Sequence, residues 1–336
     1  MLMSEIRCPA CDTPAVKVHT TYTVQAGETR RLYYCGDCHC YFSETHGTAL
    51  AGLRTPLSRI SQILDALNDG LGVNATCRTF QVSKNTLRSW QARLSAVKDA
   101  LVLYALCHQF LHQVIEGDEL YTKVNANQPP ADSTGWTIVL MDRASPFVWD
   151  LRCGERDRAL FEQALQTLAQ VVQQTNDLAL MTDGERRYGL VLFEICQTVI
   201  RTGRRGRPRH TLPLGVQVRV KNKGSQAHCR GRKRPKYQAP QPEHPNTTAP
   251  IADHDIHANH VEAFNAALRR RMACYRRKTN TYAKNERLQC RLDVYWLLHN
   301  FVRPHFTTRQ VPAVALGIVA EGLSFAELFR LHCVYP

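Results

Sequence analysis

The chain has 336 residues, 44% of them hydrophobic, and its 43 Lys and Arg against 29 Asp and Glu give a net charge of +14. That length allows one large domain with one or two small ones, and the positive surplus favours a polyanionic partner, most simply nucleic acid. Met1–Arg7 lacks the apolar run of a signal peptide and no stretch nears the ~18 apolar residues of a membrane span, so the 13 cysteines are read as metal ligands plus reduced thiols in a reducing cytoplasm.

Two C-x-x-C pairs come first, Cys8/Cys11 and Cys35/Cys38. Each pair belongs to one tight turn, with Pro9 in the first and Gly36 in the second. Four thiolates satisfy tetrahedral zinc without a carboxylate, so residues 1–48 read as a zinc ribbon whose hairpin spans Val16–Tyr34. The zinc is structural, and Cys40 is a spare thiol or an alternative ligand.

A helix-turn-helix pattern over 55–98 follows. Leu57, Ile60, Ile63, Leu64 and Leu67 fall at helical spacing in Pro56–Leu67, and Gly70 and Gly72 break that helix. A short second helix carries Ala75, Thr79 and Phe80, and a turn at Gln81–Ser83 places Ser83 to cap the next helix. That helix, Lys84–Leu94, buries Leu87 and Trp90 and offers Lys84, Asn85, Arg88 and Arg93, the arrangement that lays a second helix in the major groove of duplex DNA.

A separate helix is expected over Leu101–Leu111, followed by strands at Val114–Tyr121, Trp136–Met141 and Phe147–Leu151. A helix over Glu155–Gln173 carries Leu160, Phe161, Leu165, Leu168 and Val172 inward, and a short apolar strand, Leu178–Met181, ends at Thr182-Asp183-Gly184. The succession strand, strand, strand, helix, strand predicts an α/β domain with a mixed sheet, in which the fourth strand neighbours the first if the helix crosses over.

Arg201–Lys236 contains many Arg and Lys and no Asp or Glu, and Gln238–Pro250 adds four prolines, so 201–252 reads as a basic, proline-rich insertion. Within it, Arg204, Arg205, Arg207 and Arg209 flank a Gly-Arg-Pro strip that resembles an AT-hook core suited to a narrow minor groove; a solvated charge run is the alternative. Leu214–Val220 alternates apolar and polar residues as an extra strand would. Helices return at His257 to beyond Arg271 and at Lys284–Phe301.

Metal-assisted phosphoryl chemistry needs hard oxygen ligands brought together from separate elements. Asp118 inside the first strand, Asp183 just past the fourth and Glu262 on the later helix are the candidates, and Arg269 two turns beyond Glu262 is placed to meet a phosphate. Two have a plainer reading, Asp183-Gly184 as an ordinary turn and Glu262 as a solvated helix residue, whereas Asp118 inside an apolar strand must be paired, exposed or liganded. Glu119 points away from Asp118 across the strand, and Glu243, Asp253 and Asp255 compete with Glu262. His257 and His260 lack a third partner for a metal, though His260 also suits a place beside the acids.

These residues resemble a DDE-type insertion-sequence transposase of the insertion-sequence-one-like family. Gly117-Asp118-Glu119-Leu120-Tyr121 resembles the family's first-acid strand, Thr182-Asp183-Gly184 its second-acid turn, and Glu262 with Asn265, Arg269, Arg270 and Arg271 its third-acid helix. His299–His305 and Val311–Gly317 look like the segments near the family's C-terminus. The resemblance implies a ribonuclease-H-like catalytic domain over 110–310 and a C-terminal helical tail over 311–336. It implies Mg²⁺ or Mn²⁺ held by Asp118, Asp183 and Glu262, and terminal inverted repeats and target DNA as partners. Hydrolysis at the element ends and strand transfer by the freed 3′-hydroxyl would follow, in a bacterial, nucleoid-associated homo-oligomer assembled on DNA. The alternative is a DNA-binding regulator or a decayed transposase that binds without cutting.

Overall fold

The computed structural model describes residues 6–126, 128–175, 177–182, 185–201, 206–220, 241–242, 258–276, 279, 281–283 and 285–331. Strands β1 (Val16–Thr23), β2 (Thr29–Cys35) and β3 (Tyr41–Ser43) form an antiparallel sheet over a minimal core of Cys8, Tyr33, Cys35 and Phe42. Four residues are too few to hold a fold by burial alone. Buried Arg30 ties this module to the chain leading into the first helix, donating to the carbonyls of Leu53 and Thr55 at 2.5 and 2.9 Å.

Helices α1 (Leu57–Asn68), α2 (Val73–Thr79) and α3 (Lys84–Leu106) come next. Ser83 caps α3 as expected, its hydroxyl accepting from the Thr86 amide at 3.0 Å. The expected break between helices at Leu94 and Leu101 is absent, and α3 runs unbroken for 23 residues. Nothing between them is Gly or Pro, and Val97 and Leu101 continue the stripe of Leu87, Trp90 and Leu94, so the helix has no reason to stop. The chain is already out of the helix from Cys107, where a helix to Leu111 was expected.

The main sheet contains β4 (Gln113–Tyr121), β5 (Trp136–Asp142) and β6 (Val148–Gly154) as antiparallel neighbours. Helix α4 (Arg158–Thr175), capped by Asp157 through the Leu160 amide at 3.0 Å, leads to β7 (Leu178–Thr182). Strand β7 lies parallel to β4 on the side away from β5, the neighbour relation the sequence predicts. Helix α5 (Arg187–Cys196) and a small hairpin, β8 (Thr198–Ile200) with β9 (Arg209–Thr211), precede β10 (Val216–Val220). Strand β10 pairs parallel with β7, and β11 (Gln241–Pro242) closes that edge antiparallel. The stretch expected to be an insertion thus supplies strands of the sheet. Its six-strand order is β11-β10-β7-β4-β5-β6, so the sheet is mixed and the fold α/β.

Helices α6 (Asn259–Arg271) and α7 (Asn285–Leu297) cover the sheet, and α7 runs on as a π-turn over Leu298–Val302. Short helices α8 (Pro312–Ala315) and α9 (Phe325–Arg330) end the described chain. A side chain at Gly117 would meet Tyr188 of α5, whereas Asp118, facing the other way, meets Asn265 of α6. The sheet therefore separates α5 from α6, and its strands are apolar on both faces, as Ile138, Val139, Leu140 and Met141 show.

The edge strand β6 is not left open. Fully buried Asn300 accepts from the Val148 amide and donates to its carbonyl, both at 2.9 Å, and Gln289 does the same for Cys153 and Leu151. Lys98 of α3 is buried between Asp150 of β6 at 3.0 Å and Asp293 of α7 at 3.1 Å. Arg303 pairs with Asp65 and Asp69 at the end of α1. The helical module is thereby fastened to the sheet at two points. No helix among the described residues is long and apolar enough to cross a membrane.

Candidate active site and metal centre

Strand β4 runs through the middle of the sheet with Glu116 and Asp118 on one face, two residues apart. Asp118 pairs in register with Val139, and its Oδ1 accepts from the Glu119 amide at 3.0 Å. Its Oδ2 accepts from Nδ2 of Asn265 at 2.7 Å, a contact between residues 147 apart in sequence. Asn265 lies one turn after Glu262, so those two side chains share one side of α6. First and third candidate acids are therefore carried by elements in direct contact.

Asp183 lies outside the described residues; β7, which it follows in sequence, ends at buried Thr182, with Cγ2 3.3 Å from where a Gly117 side chain would begin. Glu243, Asp253, Asp255 and His257 also lie outside them. Glu119 occupies the opposite face, as expected, bound by Arg156 at 2.6 Å and by the Tyr188 hydroxyl at 3.3 Å. Arg269 is exposed near the end of α6.

Glu116 was not singled out by sequence. It is fully buried, accepting from Arg143 Nε at 2.8 Å and from the amides of His260 and Val261 at 3.0 Å each. His260 Nδ1 stands 3.0 Å from the same carboxylate. The available signal was two acids at i, i+2 in an apolar strand, which puts both on one face.

Hard oxygen donors would suit a divalent cation here: Asp118 carries a carboxylate, and the buried Oδ1 of Asn265 beside it has no hydrogen-bond partner among the described residues.

The ribbon thiols meet a stricter test. Cys8, Cys11, Cys35 and Cys38 have sulfurs all within 4.8 Å of one another, the one such group of three or more His, Cys, Asp or Glu among the described residues. The Cys8–Cys38 and Cys11–Cys35 sulfurs are 3.4 and 3.6 Å apart, close to the ~3.8 Å edge that ~2.3 Å Zn–S bonds give a tetrahedron. Burial pushes the Cys8 thiol up, but hydrogen bonds from the Ala10 and Cys11 amides and the Cys38 thiol bring it to about 7. The Cys40 amide pulls Cys38 down, yet the crowded thiols of Cys8, Cys11 and Cys35, together with burial, push it up to about 12. Four sulfurs this close cannot all lose protons without a cation between them, so the cluster fits zinc. Cys40 faces elsewhere, its thiol on the Tyr41 carbonyl.

Of the basic candidates, Lys84 and Asn85 are exposed at the start of α3 and Arg88 is half-buried one turn on. Arg93 is otherwise engaged, donating to the carbonyls of Ala51 at 2.9 Å and Ala49 at 3.5 Å between ribbon and α1. Arg207 is exposed, as is Arg209 in β9, while Arg204 and Arg205 lie outside the described residues.

No family model matches the chain, and no curated protein sequence matches it. Among solved structures, the chain is similar to the Mos1 mariner paired end complex with Mn, at 14% identity and a TM-score of 0.17 over 43% of this chain and 56% of that one. It is also similar to the Mos1 Strand Transfer Complex, at 14% identity and a TM-score of 0.16 over 41% of this chain and 53% of that one. The chain thus spans about half the length of each of these two structures.

Proposed function

We propose that the chain is a DDE-type transposase: a DNA-binding enzyme that cleaves the ends of an insertion element and joins them to target DNA. The observation that carries this reading is the 2.7 Å hydrogen bond from Asn265 to Asp118, which joins the helix of the third acid to the strand of the first. The sheet order supports a ribonuclease-H-like domain, because β7 leads to Asp183 from the position beside β4.

On this reading Asp118, Asp183 and Glu262 would hold Mg²⁺ or Mn²⁺, with Asn265 Oδ1 beside Asp118. Bound divalent ions supply charge stabilisation at the scissile phosphate and activation of the attacking oxygen. Asn265 fixes the rotation of the Asp118 carboxylate, so its oxygens are held in place before DNA arrives. Arg269, two turns beyond Glu262, meets a neighbouring phosphate. Lys84, Asn85 and Arg88 at the open end of α3 contact the duplex, and Arg207 and Arg209 of the β8–β9 hairpin add contacts in the minor groove. The four ribbon cysteines hold structural zinc. Two element ends require at least two active sites, so the protein acts as a homo-oligomer on DNA.

The test is nicking of a duplex carrying the element ends in Mg²⁺ or Mn²⁺. Asp118→Asn and Glu262→Gln should each lose at least ~10³-fold in rate while binding the duplex within about twofold of the parent. Cutting retained in Asp118→Asn refutes the assignment. Binding without nicking by the parent in either metal identifies the DNA-binding regulator instead.

A further inference from the structure

Helix α6 begins without a side-chain cap of its own. Ala258 stands at its N-cap position and offers no side-chain acceptor for the first amides; its carbonyl takes only the Glu262 amide, at 3.0 Å. Those of His260 and Val261 are satisfied from another element, at 3.0 Å each, by one oxygen of Glu116. The other oxygen is held by Arg143 at 2.8 Å and His260 Nδ1 at 3.0 Å. A carboxylate at a helix start is favoured by the helix dipole, and at 0% exposure its hydrogen bonds are hardly diluted by water.

Strand and helix are also matched in length between their contacts. Glu116 and Asp118 are two residues apart on one face of β4, about 6.6 Å at ~3.3 Å per residue. His260 and Asn265 are five residues apart on α6, about 7.5 Å at ~1.5 Å per residue. Seating the helix start on Glu116 therefore brings Asn265 level with Asp118, where their 2.7 Å hydrogen bond forms. Glu262 lies between the two fixed points.

We propose that Glu116 is a positioning residue that seats α6 on the strand bearing Asp118 and so sets where Glu262 and Asn265 stand. This assignment rests on the transposase reading for its catalytic consequence, but not for the seating itself. Partners that hold metal ligands in place typically contribute 10–100-fold to metal affinity. Glu116→Gln keeps the volume and one acceptor oxygen while losing the charge; Glu116→Ala removes the cap.

Two measurements on the full chain test it. Amide hydrogen exchange over 258–268 should speed up at least tenfold in Glu116→Ala and by a smaller factor in Glu116→Gln. Mn²⁺ titration followed by electron paramagnetic resonance should show binding, lost in Asp118→Asn, that weakens about 10–100-fold in Glu116→Ala. Ser83→Ala, which removes the cap of α3 in the helical module, controls for general destabilisation and should leave both readouts at the α6 site unchanged. Parental exchange and parental Mn²⁺ affinity in Glu116→Gln and Glu116→Ala would overturn the proposal. Equal losses in Ser83→Ala would also overturn it, by reducing Glu116 to ordinary stability. If the parent binds no Mn²⁺ that Asp118→Asn removes, the metal reading falls, and the exchange rates alone decide whether Glu116 seats the helix.

Discussion

Replacing Lys98 with Met tests what fastens the long helix α3 to the sheet. Lys98 is 6% exposed, and its partners Asp150 and Asp293 are 1% and 8% exposed, so all three charges are out of water. Removing one partner of such a buried group typically costs ~3–5 kcal/mol, because the remaining charge has no compensation. Here part of it survives: Arg152 still meets Asp150 at 2.8 Å, and Gln289 and Ser95 still donate to Asp293 at 2.7 and 2.5 Å. The lower end, about 3 kcal/mol, is therefore expected. For 336 residues, at ~2.1 cal/mol/K per residue, the unfolding entropy is about 0.7 kcal/mol/K, so Tm should fall by roughly 4 °C.

The pH dependence has a definite sign. Burial pushes the Asp150 carboxyl up, but Lys98 and Arg152 outweigh it and hold it below the ordinary carboxylate value. Its contribution to stability is thus present above the unfolded pKa and is lost as pH falls through the folded one. Burial likewise disfavours the Lys98 ammonium, yet Asp150 and Asp293 outweigh it and raise its pKa, so that contribution is lost only on the alkaline side. Lys98→Met removes one of the two cations that hold the Asp150 pKa down, so the stability gap between parent and variant should shrink as pH falls below about 4. Melting followed by far-UV circular dichroism at several pH values measures it. A variant melting within about 1 °C of the parent at neutral pH, or a gap that widens in acid, refutes this account.

Cys8→Ser and Cys35→Ser should each release zinc from purified protein, read with a chromogenic chelator, while the transition of the main sheet persists, since the ribbon core is separate from the principal one. Full retention of metal in either variant would count against the four-thiolate site. Lys84→Ala and Arg88→Ala should weaken duplex binding and each lower the slope of log K against log salt by ~0.9, one phosphate contact apiece. Arg93→Ala should leave that slope unchanged and cost about 1 kcal/mol of stability, because its guanidinium is spent on the Ala49 and Ala51 carbonyls. An unchanged slope in both Lys84→Ala and Arg88→Ala would move the duplex away from α3.

Local signals were legible where one residue type does one job. Ser83 announced the start of α3, and the C-x-x-C pairs announced the thiol cluster. The order of apolar segments placed β7 beside β4, because a strand, crossover helix and parallel strand have few ways to pack. The C-terminal end of α3 was misread because a stripe can be continued by tertiary partners: Val97 and Leu101 pack inward while Lys98 finds its acids on β6 and α7, nothing of which is visible within the helix itself. Alternation announced β10 inside a run without acids: Leu214–Val220 reads as a strand, and Val216 and Val218 are buried in the sheet. The capping role of Glu116, by contrast, was illegible. A cap normally precedes its helix by a residue or two, and this one comes from a strand 144 residues away.

The continuity of α3 also bears on how recognition and chemistry are linked. Its exposed start carries Lys84, Asn85 and Arg88, and 14 residues later Lys98 is locked to Asp150 and Asp293. At ~1.5 Å per residue those points are about 21 Å apart along one rigid rod, with no linker between them. Arg303, on the segment that follows the edge-sealing Asn300, reaches Asp65 and Asp69 and fixes α1 as well. On the proposed reading, a duplex seated at the start of α3 is therefore held at a set distance and angle from Asp118. The position of the cut would then be measured by the fold of a single chain rather than by a flexible connection. On that reading the buried ion network would bear on which phosphate is attacked, because it sets where the start of α3 stands relative to the sheet.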